Sequence, residues 1–322
     1  MYYYLKLKSF LQETLTNDPF AGLPRGVALL GGIVGGEEPS RYSHSPALWN
    51  RFFECLGITG RYTAFDLPDA DKMEEFLKAV LSLPHFVDLT VTNPHKAHAF
   101  RALPSLPWRI KVTERANLLK SLNHLTRDLR TGEILADTTD GQGMIRALKK
   151  RTSLQGKKAV LAGAGGAALS IGYELLLEGT DVVIVNIITE DGHRLAEFLG
   201  SCPRGGGQAY ALPWEKRGKA ASSADIVISA ITAGTPFDSA GVDSLPEHCI
   251  FADTRYGEMA EFVHEVRRAG RLCVDGREML YGQFRVAAET LSGLADISSE
   301  DTSPDAIGKA LDDVESWFCP IS

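Results

Sequence analysis

The chain has 322 residues, 44% hydrophobic and 23% charged, with a formal net charge of −7 and no long basic run. It is long enough for two cores, and its charge argues against nucleic acid or an anionic membrane as the main partner. Five cysteines without a C-x-x-C pair argue against a disulfide framework and a zinc site, so no metal is expected and the thiols fit the cytoplasm.

In chain order, residues 1–25 read as an N-terminal extension ending in the loop NDPFAGLPRG. Lys6 and Lys8 interrupt its apolar stretch, so no signal peptide is expected, and no apolar run reaches bilayer length. GVALLGGIVG (26–35) is a buried strand leading into a Gly-rich turn. SPALWNRFFECLG (45–57) has helical periodicity, with Ser45 as N-cap and Pro46 at the first helical position. RYTAFDL (61–67) is a strand, residues 70–83 an amphipathic helix, and FVDLTVT (86–92) a strand. This β-α-β-α-β order predicts a parallel sheet covered by helices. A hairpin-like polar turn follows residue 126, then a helix from about Gly141. Residues 157–186 read strand, Gly-rich turn, helix, strand, which opens a second α/β domain. Its later strands fall at 224–230, 249–254 and 271–276, with PRGGGQAY (203–210) as a mobile loop. Helices over 277–293 and 303–318 complete the pattern.

The Gly-rich turn, Gly163-Ala164-Gly165-Gly166-Ala167-Ala168, fits G-x-G-x-x-A between strand and helix. Glycine permits a tight turn and lets backbone N–H groups approach a pyrophosphate at the helix N-terminus. The end of the next strand distinguishes the two nicotinamide dinucleotides. An acidic residue there suits the ribose hydroxyls of NAD, and an arginine the 2′-phosphate of NADP. This chain offers Asn186, Ile187 and Ile188, then Glu190 and Asp191, and the two carboxylates read more readily as a solvated turn than as ligand contacts.

DLTVTNPHKAHAF (88–100) places Lys96 at a helix start, where the helix dipole disfavours a cation. A lysine amine beside a reacting carbon can exchange a proton with a substrate hydroxyl, and a carboxylate can hold it there. Asp140, in ADTTDGQG, is the candidate. Read singly, Asp140 is a plain N-cap and Lys96 a solvated charge, and spacing does not show that they meet.

Over residues 26–318 the chain resembles the shikimate/quinate dehydrogenase family. SHSP with Asn50, TVTNPHK, TTDGQG, GAGGAA and DGREMLYGQ follow the family's S-x-S-P…N, N-V-T-x-P-x-K, N-T-D-G-x-G, nucleotide-turn and G-x-x-M-L-x-x-Q motifs in order. The resemblance implies an α/β chain of two domains. An α/β substrate-binding domain would comprise 26–140 and 279–322, and a Rossmann-type doubly wound dinucleotide-binding domain 141–278. It makes Lys96 and Asp140 the catalytic pair. Ser43, Ser45, Thr92, Asn123 and Gln283 would bind the ring hydroxyls and carboxylate, with Tyr256 of DTRYGE lining the same pocket. Gly163, Ala164, Gly165, Gly166, Ala167, Asn186, Ile187 and Gly276 would hold the dinucleotide. His44 and His95 sit at variable motif positions and read as support or surface.

Several positions depart from the family. Thr90 and Thr138 replace asparagines, His124 a threonine, Ser229 the asparagine of I-N-A-T, and Ile187, Asp191 and Leu169 basic residues on the nucleotide side. Most ring-facing groups survive and most NADP-facing groups do not. The expected cofactor is therefore NAD, with NADP as the alternative. The expected substrate is a small hydroxylated ring carboxylate such as quinate, shikimate or an amino-substituted relative, the bulk at His124 marking a changed substituent. The chain is expected to be a monomer or homodimer. Competing readings are a non-catalytic metabolite sensor, or a related dehydrogenase on a divergent substrate.

Overall fold

The computed structural model describes residues 13–21, 28–83, 85–202, 206–231, 241–294 and 303–319. Most of the expected extension, the first two residues of the expected strand at 26–35, and residues 203–205 of the expected loop lie outside that set. The chain divides into two compact units, one up to Thr139 and again from Phe284, the other Asp140–Gln283.

The first unit holds β1 (Leu29–Gly35), α1 (Ser45–Cys55), β2 (Gly60–Asp66), α2 (Met73–Leu81), β3 (Phe86–Val91), α3 (Lys96–Ala102), β4 (Ile110–Val112), α4 (Glu114–Leu119), β5 (His124–Arg127) and β6 (Ile134–Asp137). Its sheet runs β2-β1-β3-β5-β6-β4. β1 is parallel to β2 and β3, as the alternating pattern predicts. The sheet as a whole is mixed, because β5 runs antiparallel to both β3 and β6. The cause is local. The Asp128 carboxylate accepts the N–H groups of Arg130 and Thr131 and the Thr131 hydroxyl. That closes a turn too tight for a parallel crossover. The Thr131 hydroxyl and the two N–H groups hold the Asp128 carboxyl below its usual range.

Along each strand, alternate residues face opposite sides of the sheet. On one side Phe65, Phe76, Phe86, Leu89 and Leu125 form a core. On the other, Trp49 of α1 packs against Phe52, Phe53, Tyr62 and Phe284. Ser45 is the first helical residue rather than the cap, and the Ser43 hydroxyl accepts its N–H at 3.2 Å. Pro46 still falls within the first turn, where its missing N–H costs nothing. The amphipathic stretch 70–83 is a 3-10 turn at Ala70–Lys72, capped by Asp69, followed by α2. The described part of the extension covers the β2 edge. Thr16 N–H donates to Asp66 O, and the Asn17 side chain bonds Ala64 O and Asp66 N–H.

The second unit holds α5 (Asp140–Lys149), β7 (Lys158–Ala162), α6 (Gly166–Leu177), β8 (Asp181–Asn186), α7 (Thr189–Ser201), β9 (Ala209–Pro213), α8 (Arg217–Ala221), β10 (Ile226–Ser229), β11 (Ile250–Asp253), α9 (Glu261–Arg268) and β12 (Cys273–Val274). All its strands are parallel, in the order β12-β11-β10-β7-β8-β9. That is the doubly wound arrangement, with the order reversing between β7 and β10. The expected loop at 203–210 is corrected at its end, since Ala209 and Tyr210 begin β9. β9 is an edge strand, which tolerates Pro213. α10 (Gly276–Leu294) spans the division between Gln283 and Phe284, and α11 (Pro304–Phe318) packs on α1. None of the five cysteines is in a disulfide, and burial pushes the Cys249 thiol up to about 12. Among the described residues, no helix is long and apolar enough to cross a membrane.

Candidate functional site

In the first unit Ser43 and Ser45 follow β1, Thr92 follows β3, and Asn123 precedes β5. Thr92 continues β3, its N–H donating to Val34 O at 2.8 Å. Gly35, at the end of β1, leaves room for it, since a Cβ there would sit 2.5 Å from Thr92 Cγ2. Ser43 and Ser45 open α1 on the chain leaving β1. Asn50, in the same motif, has a structural task. Its amide accepts the Tyr62 N–H at 2.8 Å and donates to Tyr62 O at 3.0 Å, tying α1 to the edge strand β2.

His95 anchors the start of α3. It is fully buried, and its Nε2 lies 2.6 Å from Leu67 O, so that nitrogen carries the proton and donates. Burial lowers its pKa and favours the neutral ring. Lys96, the next residue, is half-buried at the first position of α3. Its carbonyl accepts the Leu122 N–H at 3.4 Å, which draws the segment carrying Asn123 alongside. The buried Asn123 amide is fixed by Thr139, whose N–H it accepts at 2.7 Å and whose hydroxyl it bonds through Nδ2 at 3.1 Å.

In the second unit Asp140 is the buried first residue of α5. The Gly141 N–H donates to Ser170 Oγ at 2.9 Å, and a Cβ at Gly141 would lie 2.2 Å from Ser170 O. α5 crosses α10 glycine on glycine, since a Cβ on Gly282 would lie 2.4 Å from Gly143 O, and one on Gly143 would lie 2.6 Å from Gln283 Cγ. Asp140 and Gln283 are thus carried by two helices in backbone contact. Tyr256 follows β11, and burial raises its phenol pKa, keeping it a neutral donor. Gly276 is buried against Thr254 O, 2.5 Å from where its Cβ would be, so close packing accounts for this glycine. Lys96 and Asp140 belong to different units.

The glycine turn fits a pyrophosphate. Gly163 has φ of +117° and would place a Cβ 2.6 Å from Ala230 O, so both conformation and space demand glycine. Gly165 and Gly166 are exposed, and a Cβ on either would meet nothing within 4 Å. Ala164 and Ala167 are half-buried beside them, at the N-terminus of the twelve-residue helix α6. At the end of β8 the Asn186 amide donates to Ile188 O at 2.9 Å. Ile187 and Ile188 are 67% and 57% exposed. On α7, Arg194 pairs with Asp191 at 3.2 Å.

Sequence reasoning passed over a polar row inside the first unit's sheet. Asp88 has no solvent exposure. Its carboxylate accepts the Tyr62 hydroxyl at 3.0 Å and the Thr126 hydroxyl at 3.2 Å. His124 Nε2 lies 2.7 Å from Asp88 Oδ2, angled away from linear hydrogen-bond geometry. The Tyr62 oxygen is also 2.7 Å from Thr90 Oγ1 and accepts the Thr90 N–H. Tyr62, Gly31, Asp88 and Thr126 are in register across four strands, and Gly31 clears the path, since a Cβ there would lie 2.6 Å from the Tyr62 ring. Burial and the Asp88 charge raise the Tyr62 pKa well above the usual phenol value. The available signal was a carboxylate inside the strand FVDLTV, whose other residues are apolar except Thr90.

Residues 34–124 match the family model for the shikimate dehydrogenase substrate binding domain. The shikimate dehydrogenase (NADP(+)) of Methanopyrus kandleri is 31% identical over 273 residues, 81% of this chain and 89% of that one. The shikimate 5-dehydrogenase of Thermus thermophilus, solved with NADP(H) and shikimate, aligns with TM-score 0.68 and 26% identity, covering 89% of this chain and 99% of that chain. Quinate dehydrogenase from Corynebacterium glutamicum, solved with NAD, shares the fold with TM-score 0.70 and 24% identity, covering 88% and 98%. With nearly a third of residues identical to a relative across most of both chains, this chain belongs to the shikimate/quinate dehydrogenase family.

Proposed function

We propose that this chain is a dehydrogenase of a shikimate- or quinate-like ring carboxylate, using NAD in preference to NADP. The observation that carries the reading is the family relationship over most of the chain, together with the retained Lys96, Asn123, Asp140 and Gln283. Ser43, Ser45, Thr92, Asn123, Tyr256 and Gln283 bind the ring hydroxyls and carboxylate. Lys96 Nζ takes the proton of the hydroxyl being oxidised, and Asp140 is its acidic counterpart. When bound, NAD supplies the hydride acceptor. The residues suited to hold it are the Gly163–Ala167 turn and Asn186, with Ile187 alongside; Gly276 supports the neighbouring strand end.

The preference for NAD rests on the turn after β8. Two exposed isoleucines stand there, and Glu190 and Asp191 open α7. A 2′-phosphate would face these carboxylates, while Arg194 is paired with one of them. Each missing charge-assisted bond costs about 1.5–3 kcal/mol of NADP affinity. The test mixes purified protein with shikimate or quinate and with NAD or NADP, and follows the absorbance of reduced nicotinamide. Turnover with NAD and little with NADP is expected. NADP preference would overturn the cofactor assignment, and silence in all four mixtures the substrate class.

A further inference from the structure

We propose that Tyr62, Asp88 and His124 are positioning residues, a buried frame that sets the first-unit substrate contacts relative to one another. The inference rests on the functional reading above and adds residues that the reading does not use.

A fully buried carboxylate without a lysine or arginine partner is costly, and an apolar residue would fill the same strand position without that cost. The frame reaches every first-unit segment assigned to the ring. Asp88 and Thr90 share a sheet face on β3, and Thr92 follows Thr90 by two residues, just past the end of that strand. His124 follows Asn123 directly and pairs with Thr90 across the sheet. The Tyr62 ring stacks on Trp49, centroids 5.1 Å apart and planes 8° apart. Trp49 lies four residues after Ser45 on α1, so the two share a helix face. Disturbing this frame displaces the Ser45, Thr92 and Asn123 contacts together. It leaves the dinucleotide turn untouched, because that turn belongs to the second unit. The expected signature is weaker ring binding with little change in the transfer step.

The test compares His124→Leu, His124→Gln, Asp88→Asn and Tyr62→Phe with Phe76→Leu, a core change on the opposite sheet face. Misplaced contacts should raise the KM for shikimate roughly tenfold or more in His124→Leu and Asp88→Asn, while the KM for NAD and kcat move less than about threefold. Gln can offer an amide donor where the imidazole stood, so His124→Gln should recover most of the loss. Phe76→Leu should lower Tm without moving KM. Tyr62→Phe removes one hydroxyl at constant shape and serves if the charge variants fail to fold. Hydrogen exchange of the Thr139 amide, held by Asn123 Oδ1, reads the frame without substrate. It should quicken in His124→Leu and recover in His124→Gln. Unchanged exchange and unchanged KM in folded variants would overturn the proposal, as would a KM rise shared by Phe76→Leu. Faster exchange in a protein that turns over neither shikimate nor quinate would support the frame and overturn the substrate assignment.

Discussion

Lys96 stands where a helix dipole opposes it, at the first position of α3 with no acidic residue in that turn. If its amine carries the hydroxyl proton, Lys96→Ala should lower kcat by about 10²–10⁴. NAD affinity, measured by fluorescence titration, should hold. His95, one residue earlier, has a depressed pKa because it is buried. Between the folded and ordinary histidine values, the unfolded chain binds the extra proton. Stability therefore falls as pH drops below the ordinary imidazole range. His95→Gln keeps a donor for Leu67 O and removes this proton uptake. The fall in Tm between pH 7 and pH 5 should be smaller in the variant. Lys96 and Asp140 stood out in the sequence because charges at helix starts are conspicuous within short motifs. The Tyr62–Asp88–His124 frame did not, because its members come from three strands and meet only through sheet register.

At the scale of elements, glycines decide which helices touch. Gly143 and Gly282 sit inside TTDGQG and LYGQ, within the helices expected from about Gly141 and over 277–293. Both are helical residues at the crossing of α5 and α10, a contact that helical periodicity alone does not reveal. Gly143→Ala would push a methyl to 2.5 Å from Met279 O, so the helices must separate. The expected cost is about 1–3 kcal/mol in urea unfolding, with a raised KM for the ring substrate because Gln283 moves with α10. Parallel β1, β2 and β3 were legible from alternating strand and helix patterns. β4 was not, since IKV is too short to show a period. β9 was hidden because a glycine run precedes it.

At the scale of the whole molecule, each unit has its own apolar core. The two-domain organisation could be read from a second strand–glycine–helix pattern. The place where α10 passes from one unit to the other could not, because an uninterrupted helical period carries no mark of what each turn packs on. Phe284 is the first residue after that division and rests edge-on against Trp49 and Phe52. Phe284→Ala should destabilise the first unit by about 3–5 kcal/mol. Calorimetry should show the lower transition, and on the proposed reading stabilisation by added NAD should be retained.

That return of the chain bears on biosynthesis. On the ribosome, Trp49 and Phe52 emerge long before the Phe284 that covers them. At roughly 5–20 residues per second, the wait is on the order of 10 to 50 seconds. The second unit, contiguous from Asp140 to Gln283, can complete its sheet during that interval. The earlier-made strands remain an exposed aromatic surface until α10 and α11 arrive. A nascent chain arrested before Phe284 would therefore present a folded second unit beside an unfinished first one, a form suited to capture by chaperones.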